Sequence, residues 1–421
     1  MPEGKSKEKK SSQIFLKLGL VLISVIFSLV LLEILLANFY PQDTFKKLFR
    51  DANRCWQSDE YYWIKFKANC QYVLKTDDFS HDVNINAQGF RGKEVSVPKG
   101  ENIFRIVFTG DSFVFGNGLG DDGTIPALVE KILNEKKVFG DKKVEVVNAG
   151  FLGGGSPDGH LVYLRHKQID ADMYLMGFFI YNDITSDMDS NDWIGVDTPN
   201  TPTAVRSKKF EVTDDGLYLN RETDERGLYA HKILRDFNTF IFLGENIKPL
   251  FEKAKGKLMK PVIVENSLAN EGSDSELLGV HSENCVFGNS ECHRRISHLF
   301  EDLGNIFFAA SAEAPVRNFG VVIIPADFQV YEQAAGKYKS DSWGINGAFG
   351  EADPQPQSRV KTMLDKSDIE YIDLLPALRA NKDIQTYYPR DAHFNPEGAE
   401  IVAESIAKWI EGQYAAGKIN L

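Results

Sequence analysis

Two short motifs, far apart in the chain, carry the residue types of a serine-based acyl-transfer site. A Gly-Asp-Ser motif at 110–112 follows an apolar run, and an Asp-Ala-His motif at 391–393 precedes the last helical pattern. The hydroxyl of Ser112 is a weak nucleophile alone, and the imidazole of His393 is a suitable base because its ordinary pKa lies near neutrality. Asp391 is placed to accept the other imidazole N–H. The two motifs therefore predict ester chemistry by a Ser112–His393–Asp391 triad.

Two further features between these motifs can supply hydrogen-bond donors to a developing oxyanion. Gly153 lies in a glycine cluster after an apolar run, and Asn182 follows the next apolar run. Glycine lets the backbone approach a substrate closely, and the side-chain amide of Asn182 is a second donor. The backbone N–H of Ser112 is a third. Glycine runs and Asn-Asp pairs are common in turns, so their order along the chain is what predicts a site.

The elements that must position these residues alternate between strands and helices. Short β-branched runs predict strands at 103–109, 144–148, 173–180, 321–325 and 370–374, and helical patterns lie at 124–133, 157–166 and 396–412. This alternation predicts a parallel sheet with crossover helices. Ligands of such sheets bind beyond the carboxyl ends of the strands, where the candidate residues lie.

These blocks resemble those of the SGNH/GDSL hydrolase superfamily, which is named for Ser, Gly, Asn and His. The resemblance covers about residues 102–182 and 321–409. It implies a three-layer α/β/α fold with a flavodoxin-like parallel sheet. It also implies the roles of the site residues: Ser112 as nucleophile, His393 as base, Asp391 as its partner, and Ser112, Gly153 and Asn182 as the oxyanion hole.

The chain departs from the superfamily pattern in two places. The usual last block is Asp-x-x-His, whereas this chain has Asp391-x-His393. The shorter spacing is similar to that of polysaccharide O-acetyltransferases such as alginate acetylation proteins, in which the motif precedes the serine. Phe113 stands where a small or hydroxyl residue is common. These departures leave hydrolase and transferase both open.

The N-terminus predicts a membrane anchor. Five lysines up to Lys17 precede an uncharged run from 18 to 32, and apolar residues resume after Glu33. We expect a cytoplasmic basic tail at 1–13, a transmembrane helix at 14–36, and everything after Asn38 on the outer side. A cleaved signal peptide is the alternative, although the apolar core is longer than usual and Ala37-Asn38-Phe39 is a poor cleavage site.

Cysteine usage agrees with an oxidising compartment. All four cysteines follow the proposed anchor, and the close pairs suggest Cys55–Cys70 and Cys285–Cys292 disulfides among three formal connectivities. Free thiols or a zinc site at Cys292-His293 are the alternatives.

The rest of the chain predicts a membrane-proximal extension and one catalytic domain. Residues 37–100 form the extension, aromatic and irregular, and 101–421 form an SGNH-like domain. An insertion at about 190–310 contains a turn-rich stretch at 192–205, a β-hairpin at 209–220, and helices near 231–243 and 292–317.

Composition narrows the function further. Hydrophobic residues at 43% and charged residues at 26% are typical of a folded protein, and a net charge of -12 argues against a nucleic-acid surface.

From the motifs and the resemblance, we expect an esterase that hydrolyses small acyl esters, above all O-acetyl groups on an envelope or extracellular glycan, through an acyl-serine intermediate. The alternatives are an O-acetyltransferase served by a membrane acyl donor, and a non-catalytic envelope-polymer binding protein. No cofactor and no metal are expected.

Overall fold

A computed structural model describes most of the chain. The described residues are 4–40, 55–76, 78–151, 155–166, 169–183, 188, 191–207, 210–213, 216–219, 234, 237–244, 297–313, 318–331 and 355–421. The chain divides into two compact units, Met1–Arg50 with Leu219–Ala269, and Asp51–Tyr218 with Asn270–Leu421. All of the candidate catalytic residues belong to the second unit.

The second unit contains alternating strands and helices, preceded by four hairpin strands and interrupted by four more. In chain order the strands are β1 (Trp56–Asp59), β2 (Trp63–Phe66), β3 (Gln71–Lys75), β4 (Ser80–Asn84), β5 (Ile103–Gly110), β6 (Lys143–Gly150), β7 (Met173–Phe179), β8 (Asn191–Asp197), β9 (Thr201–Ser207), β10 (Phe210–Thr213), β11 (Gly216–Leu219), β12 (Phe319–Ile324) and β13 (Glu370–Asp373). The helices are α1 (Gly4–Phe39) in the first unit, then α2 (Ser112–Phe115), α3 (Ile125–Glu135), α4 (Pro157–Arg165), α5 (Ser297–Glu313), α6 (Asp327–Val330), α7 (Gln355–Lys366), α8 (Leu375–Ala380) and α9 (Pro396–Ala415).

Five of these strands form one parallel sheet in the order β13-β12-β7-β5-β6. The first strand of the sheet in the chain, β5, lies between β6 and β7, and the later strands follow outward from β7. This is the flavodoxin-like order, and it confirms the predicted three-layer α/β/α class. All five strands were predicted from their β-branched runs, with ends that differ by one or two residues.

Alternate residues of each strand face different helix layers. Phe104, Ile106 and Phe108 of β5 pack with α3, α8 and α9, whereas Val107 packs with α4, α5 and α7. A central strand covered on both faces is mainly apolar on both, which explains why the sequence of β5 lacks the alternation of a half-exposed strand. The buried exception, Arg105, pairs with Glu145 of β6. The sheet therefore separates two hydrophobic cores, one on each of its faces.

The stretch between the first helix and the sheet is more regular than the sequence predicts. Within the described part of the extension, expected to be irregular over 37–100, lie two antiparallel hairpins, β1–β2 and β3–β4. The turn-rich stretch expected at 192–205 is a third hairpin, β8–β9. These strands are short and keep polar, exposed positions, so a hydrophobic pattern alone does not reveal them.

A disulfide ties the first hairpin to the second. Cys55 and Cys70 are bonded, as predicted, across a sequence separation of 15 residues. Beside them, Trp56 stacks on Phe66 with ring centroids 4.0 Å apart, and Phe66 stacks on Phe115 of α2 at 5.1 Å. The cross-linked hairpins thus pack directly against the turn that carries Ser112. Cys285, Cys292 and His293 lie outside the described residues.

The four-residue helix α2 lies very close to the ends of two strands. A side chain at position 150, the last residue of β6, would place its Cβ 2.5 Å from the Cα of Phe115. A side chain at Gly110, the last residue of β5, would place its Cβ 2.8 Å from that of Val114. Both strand ends must therefore be glycine if α2 is to begin where it does.

This packing makes a direct prediction for Gly150. Gly150→Ala should displace α2 and lower the free energy of unfolding by about 1–3 kcal/mol, with a larger loss of any Ser112-dependent activity. The matched control is Gly412→Ala, because a Cβ there meets nothing within 4 Å in α9. Chemical denaturation of both variants checks the prediction, and equal stability of the two would contradict it.

Candidate active site

The candidate nucleophile lies on a sharp turn from strand to helix. β5 ends at Gly110, and Ser112 is the first residue of α2. Between them, the carboxylate of Asp111 accepts a hydrogen bond from the Phe113 N–H at 2.9 Å and caps the helix. α2 ends at Phe115, and Gly116, which caps it, has a left-handed φ of 91°. The turn holds Ser112 at the carboxyl edge of the sheet.

Ser112, His393 and Asp391 form one hydrogen-bonded chain. Nε2 of His393 lies 2.6 Å from Oγ of Ser112, and Nδ1 of His393 pairs with the carboxylate of Asp391. The side chains of His393 and Asp391 are each 19% exposed, so solvent reaches the site. The structure thus brings together the three residues that the sequence singles out, in a geometry that suits proton transfer from the hydroxyl to the imidazole.

The short Asp-x-His spacing depends on an unusual backbone conformation. Ala392, between the two residues, has a φ of 67°, in the left-handed region. With this left-handed residue between them, the Asp391 carboxylate pairs with the imidazole of His393. In the usual Asp-x-x-His spacing, two residues separate the aspartate from the histidine. A non-glycine residue in this region costs roughly 1–2 kcal/mol, so the surrounding contacts must hold it.

The N-terminal extension supplies those contacts. Asp78, which lies between β3 and β4, accepts hydrogen bonds from the backbone N–H groups of Arg390 and Asp391 at 2.8 Å each. Tyr388 donates its hydroxyl to the Gly118 carbonyl at 2.8 Å, and its ring packs on Phe79. The hairpin of the extension therefore braces the loop that carries Asp391.

Phe113 forms an aromatic wall beside the imidazole. Its ring centroid lies 4.8 Å from that of His393, and its other contacts are with Phe179 at 4.5 Å and Phe394 at 4.9 Å. The side chain is buried. The large residue that departs from the superfamily pattern is thus part of the packing that fixes the orientation of the imidazole.

A buried arginine from the extension fixes the loop after α2. The Arg91 guanidinium donates to the carbonyls of Phe115 at 2.9 Å, Gly116 at 2.7 Å and Leu119 at 2.5 Å. It also pairs with Asp121 at 2.9 Å. Burial lowers the pKa of Arg91, and the hydrogen bond with Asp121 opposes that change. One side chain thereby satisfies two carbonyls at the end of the four-residue helix and a third in the loop after it.

Of the two candidate oxyanion donors besides Ser112, the structure describes Asn182 but not Gly153. Asn182 lies in the turn after β7, where the Asp183 carboxylate accepts the Phe179 N–H at 2.7 Å. β7 pairs directly with β5, so this turn neighbours the one that carries Ser112. Gly153 lies outside the described residues. Their roles as oxyanion donors stay predictions.

The end of the glycine-rich loop is held by a buried polar network. Asp158 is fully buried and accepts hydrogen bonds from the Trp193 indole N–H at 2.8 Å and the Asn191 amide at 3.0 Å. The same amide donates to Ser156 Oγ at 2.8 Å. Burial raises the pKa of Asp158, against the effect of these donors. Strand β8 thus fixes the start of α4, next to the loop that contains Gly153.

A second carboxyl lies beneath the triad. Asp111 is 3% exposed, and its Oδ2 has no hydrogen-bond partner. Burial raises the pKa of Asp111 to about 6, although the Phe113 N–H and the nearby His393 act to lower it. In the sequence, Asp111 stands out only as the middle residue of the Gly-Asp-Ser motif at 110–112. Asp78 and Arg91 of the extension are not predicted as site residues, and the only signal for them is the Gly-Phe-Arg-Gly stretch at 89–92.

One family model matches the C-terminal part of the chain. Residues 321–420 match the family model of the SGNH hydrolase-like domain of acetyltransferase AlgX. The match includes Asp391 and His393 and stops short of Ser112. None of the curated proteins compared with the chain matches it. Together with the five-stranded sheet, the match supports what the motifs predict: the chain is an SGNH-like superfamily member, and the matched family suggests acetyl-related activity on a polysaccharide.

The conformation of Ala392 yields a paired prediction. Ala392→Gly should keep activity and leave the free energy of unfolding unchanged or about 1 kcal/mol higher, because relief of the left-handed strain outweighs the added freedom of the unfolded chain. Ala392→Val should swing Asp391 away from His393 and lower kcat at least about tenfold, since a β-branched residue disfavours this conformation. Ala312→Val, at an exposed helical site, controls for the bulk of valine. Similar kcat values for the Gly and Val variants would contradict the argument.

The buried carboxyl of Asp111 predicts a pH-dependent stability. Its folded pKa lies above the ordinary 3.8, so the folded state holds the proton more tightly and loses stability as pH rises from about 4 to 6. Asp111→Asn should therefore raise Tm at pH 7.5, by the equivalent of up to about 3 kcal/mol, and give no gain at pH 4. The exposed Asp383→Asn is the control. A gain independent of pH would show that ionisation of Asp111 is not its source.

Proposed function

We propose that this chain is a serine esterase that removes small acyl groups, above all O-acetyl, from a glycan outside the cytoplasm. The observation that carries the proposal is the hydrogen-bonded chain from Ser112 through His393 to Asp391 at the carboxyl edge of the sheet. An unassisted serine hydroxyl is a poor nucleophile, and this arrangement is what acyl transfer requires. The acetyl group follows from the family match.

In the proposed first half-reaction, Ser112 Oγ attacks the ester carbonyl while Nε2 of His393 takes the hydroxyl proton. Asp391 stabilises the imidazolium through Nδ1. The carbonyl oxygen becomes an oxyanion, which the backbone N–H of Ser112, the N–H of Gly153 and the amide of Asn182 are proposed to bind. The intermediate then collapses, the bond to the sugar oxygen breaks, and His393 returns its proton to that oxygen. An acyl-Ser112 ester remains.

In the second half-reaction, a water molecule replaces the sugar. His393 removes a proton from the water as its oxygen attacks the acyl carbon, and the bond to Ser112 Oγ then breaks. The proton returns to Ser112, and the free acid leaves. The partial exposure of His393 and Asp391 favours water as the acceptor, because solvent reaches the base directly.

A second candidate is O-acetyl transfer, in which a glycan hydroxyl takes the place of water in the second step. The observation that favours it is the match of residues 321–420 to an acetyltransferase family. The same three side chains would act in the same roles, and the acyl donor would come from a membrane partner. The two candidates differ in the source of the acyl group and in the acceptor that takes it from acyl-Ser112.

The proposed location follows from the N-terminal helix. Leu16–Phe39 is long and apolar enough to be a membrane anchor or a signal sequence, with a mean hydropathy of 2.9. We propose an uncleaved anchor whose lysine-rich start stays in the cytoplasm, with the catalytic domain outside. The Cys55–Cys70 disulfide supports an oxidising compartment.

The test uses Ser112→Ala in the purified full chain. The variant should lose several orders of magnitude in turnover of p-nitrophenyl acyl esters and keep its fold, because no other nucleophile is proposed. Ser358→Ala, at an exposed position of α7, should retain full activity. Adding an O-acetylated oligosaccharide with an unacetylated acceptor separates the candidates: free acetate indicates an esterase, and acetylated acceptor a transferase. Neither product would favour a non-catalytic binding protein, and full activity of Ser112→Ala would overturn the proposal.

A further inference from the structure

A carboxylate lies inside the apolar part of α1. Glu33 is six residues before the end of the helix, and its carboxylate accepts three hydrogen bonds from one short helix at 238–244. The donors are the backbone N–H of Asn238 at 2.9 Å, the Asn238 side-chain amide at 3.0 Å and the backbone N–H of Thr239 at 2.7 Å. α1 and this helix belong to the same compact unit.

The physical reason for the contact is the cost of burying a charge. An ionised carboxylate in hydrocarbon is expensive unless donors replace the water that it has lost. The first N–H groups of a helix are such donors, because they have no partner within the helix and carry its positive dipole end. The 238–244 helix therefore caps Glu33, and Glu33 caps the helix.

The position of Glu33 along α1 sets the depth of its partner. At 1.5 Å per residue, Glu33 lies about 9 Å below the end of the helix at Phe39. The apolar span Leu16–Phe39 has 24 residues and is about 36 Å long, roughly 6 Å more than the hydrocarbon core. A centred span places Glu33 roughly 6 Å inside the hydrocarbon boundary. Asn238 and Thr239 must lie at the same depth, since they bond to it.

The chemistry of the partner segment suits that depth. Residues 240–243 are Phe-Ile-Phe-Leu, and Phe237 just before the helix is 45% exposed. The ring of Phe242 meets Tyr40 edge-on at 6.3 Å, at the end of α1. Phe and Leu line the buried face of helices that lie in a bilayer surface, Tyr is enriched where the bilayer meets water, and a helix satisfies its own backbone there. A segment that lies in water would gain no free energy from exposing the ring of Phe237.

We infer that segment 237–244 is a second membrane contact, which enters one face of the lipid bilayer without crossing it and is docked on α1 through Glu33. Its partner is the lipid itself, with Phe237 facing the acyl chains near the headgroups. The inference rests on the proposed membrane placement of α1. It adds that the chain returns to the membrane about 200 residues after leaving it, within the insertion.

Photo-crosslinking of the full chain in lipid nanodiscs tests the inference. p-Benzoyl-phenylalanine replaces Phe237 in one sample, Leu29 on the lipid-exposed part of α1 in a second, and the exposed Val97 of the other unit in a third. We expect lipid adducts at positions 29 and 237, at least about tenfold above position 97. Glu33→Ala should lower the adduct yield at 237 several-fold and leave that at 29 unchanged, whereas Ser28→Ala should change neither.

The outcomes separate this inference from the membrane placement on which it rests. Adducts at 29 without adducts at 237 would overturn the second contact and leave the anchor intact. Absence of adducts at both positions would overturn the anchor and the contact together. An undiminished yield at 237 in the Glu33→Ala variant would overturn the docking role of Glu33.

Discussion

The close seating of α2 against the ends of β5 and β6 is the constraint on which the site depends. A four-residue helix has too few internal hydrogen bonds to hold itself, so its geometry comes from outside. Asp111 caps its start, Arg91 takes up the carbonyls at its end, and Gly150 removes the side chain that would push it away. Ser112 has a defined direction only because these contacts act together. The imidazole can then meet the hydroxyl without either loop having to rearrange.

The extension before the sheet is as much a part of the site as the sheet itself. Asp78 holds the backbone of the loop that carries Asp391, and Arg91 holds the loop after Ser112. Both come from the stretch between the first helix and β5. Without this stretch, the turn that carries Ser112 and the loop that carries Asp391 would both lose these hydrogen bonds. The sequence pattern changes near residue 100, but residues on both sides of that point contribute to the candidate site.

The sequence predicts those features of the fold that rest on periodic burial. The five sheet strands and the helices α3, α4 and α9 follow from apolar patterns, and Ser112, Asp391 and His393 follow from residue type at strand and helix ends. The hairpins of the extension escape prediction because their short strands alternate weakly and depend on a disulfide and on stacked rings. The left-handed Ala392 and the buried Arg91 escape for another reason. Each is determined by contacts with segments distant in the chain, which local propensity does not record.

The Cys55–Cys70 disulfide makes the stability of the candidate site depend on the redox state of the protein. It closes the hairpin layer whose ring, Phe66, stacks on Phe115 of α2, so the bond lies two contacts from Ser112. Closing a loop of this size contributes on the order of 3 kcal/mol. When Cys55 and Cys70 are reduced, the hairpins that pack against the Ser112 turn lack that contribution. Reduction of this one bond therefore removes support from the turn that carries Ser112 as well as from the two hairpins.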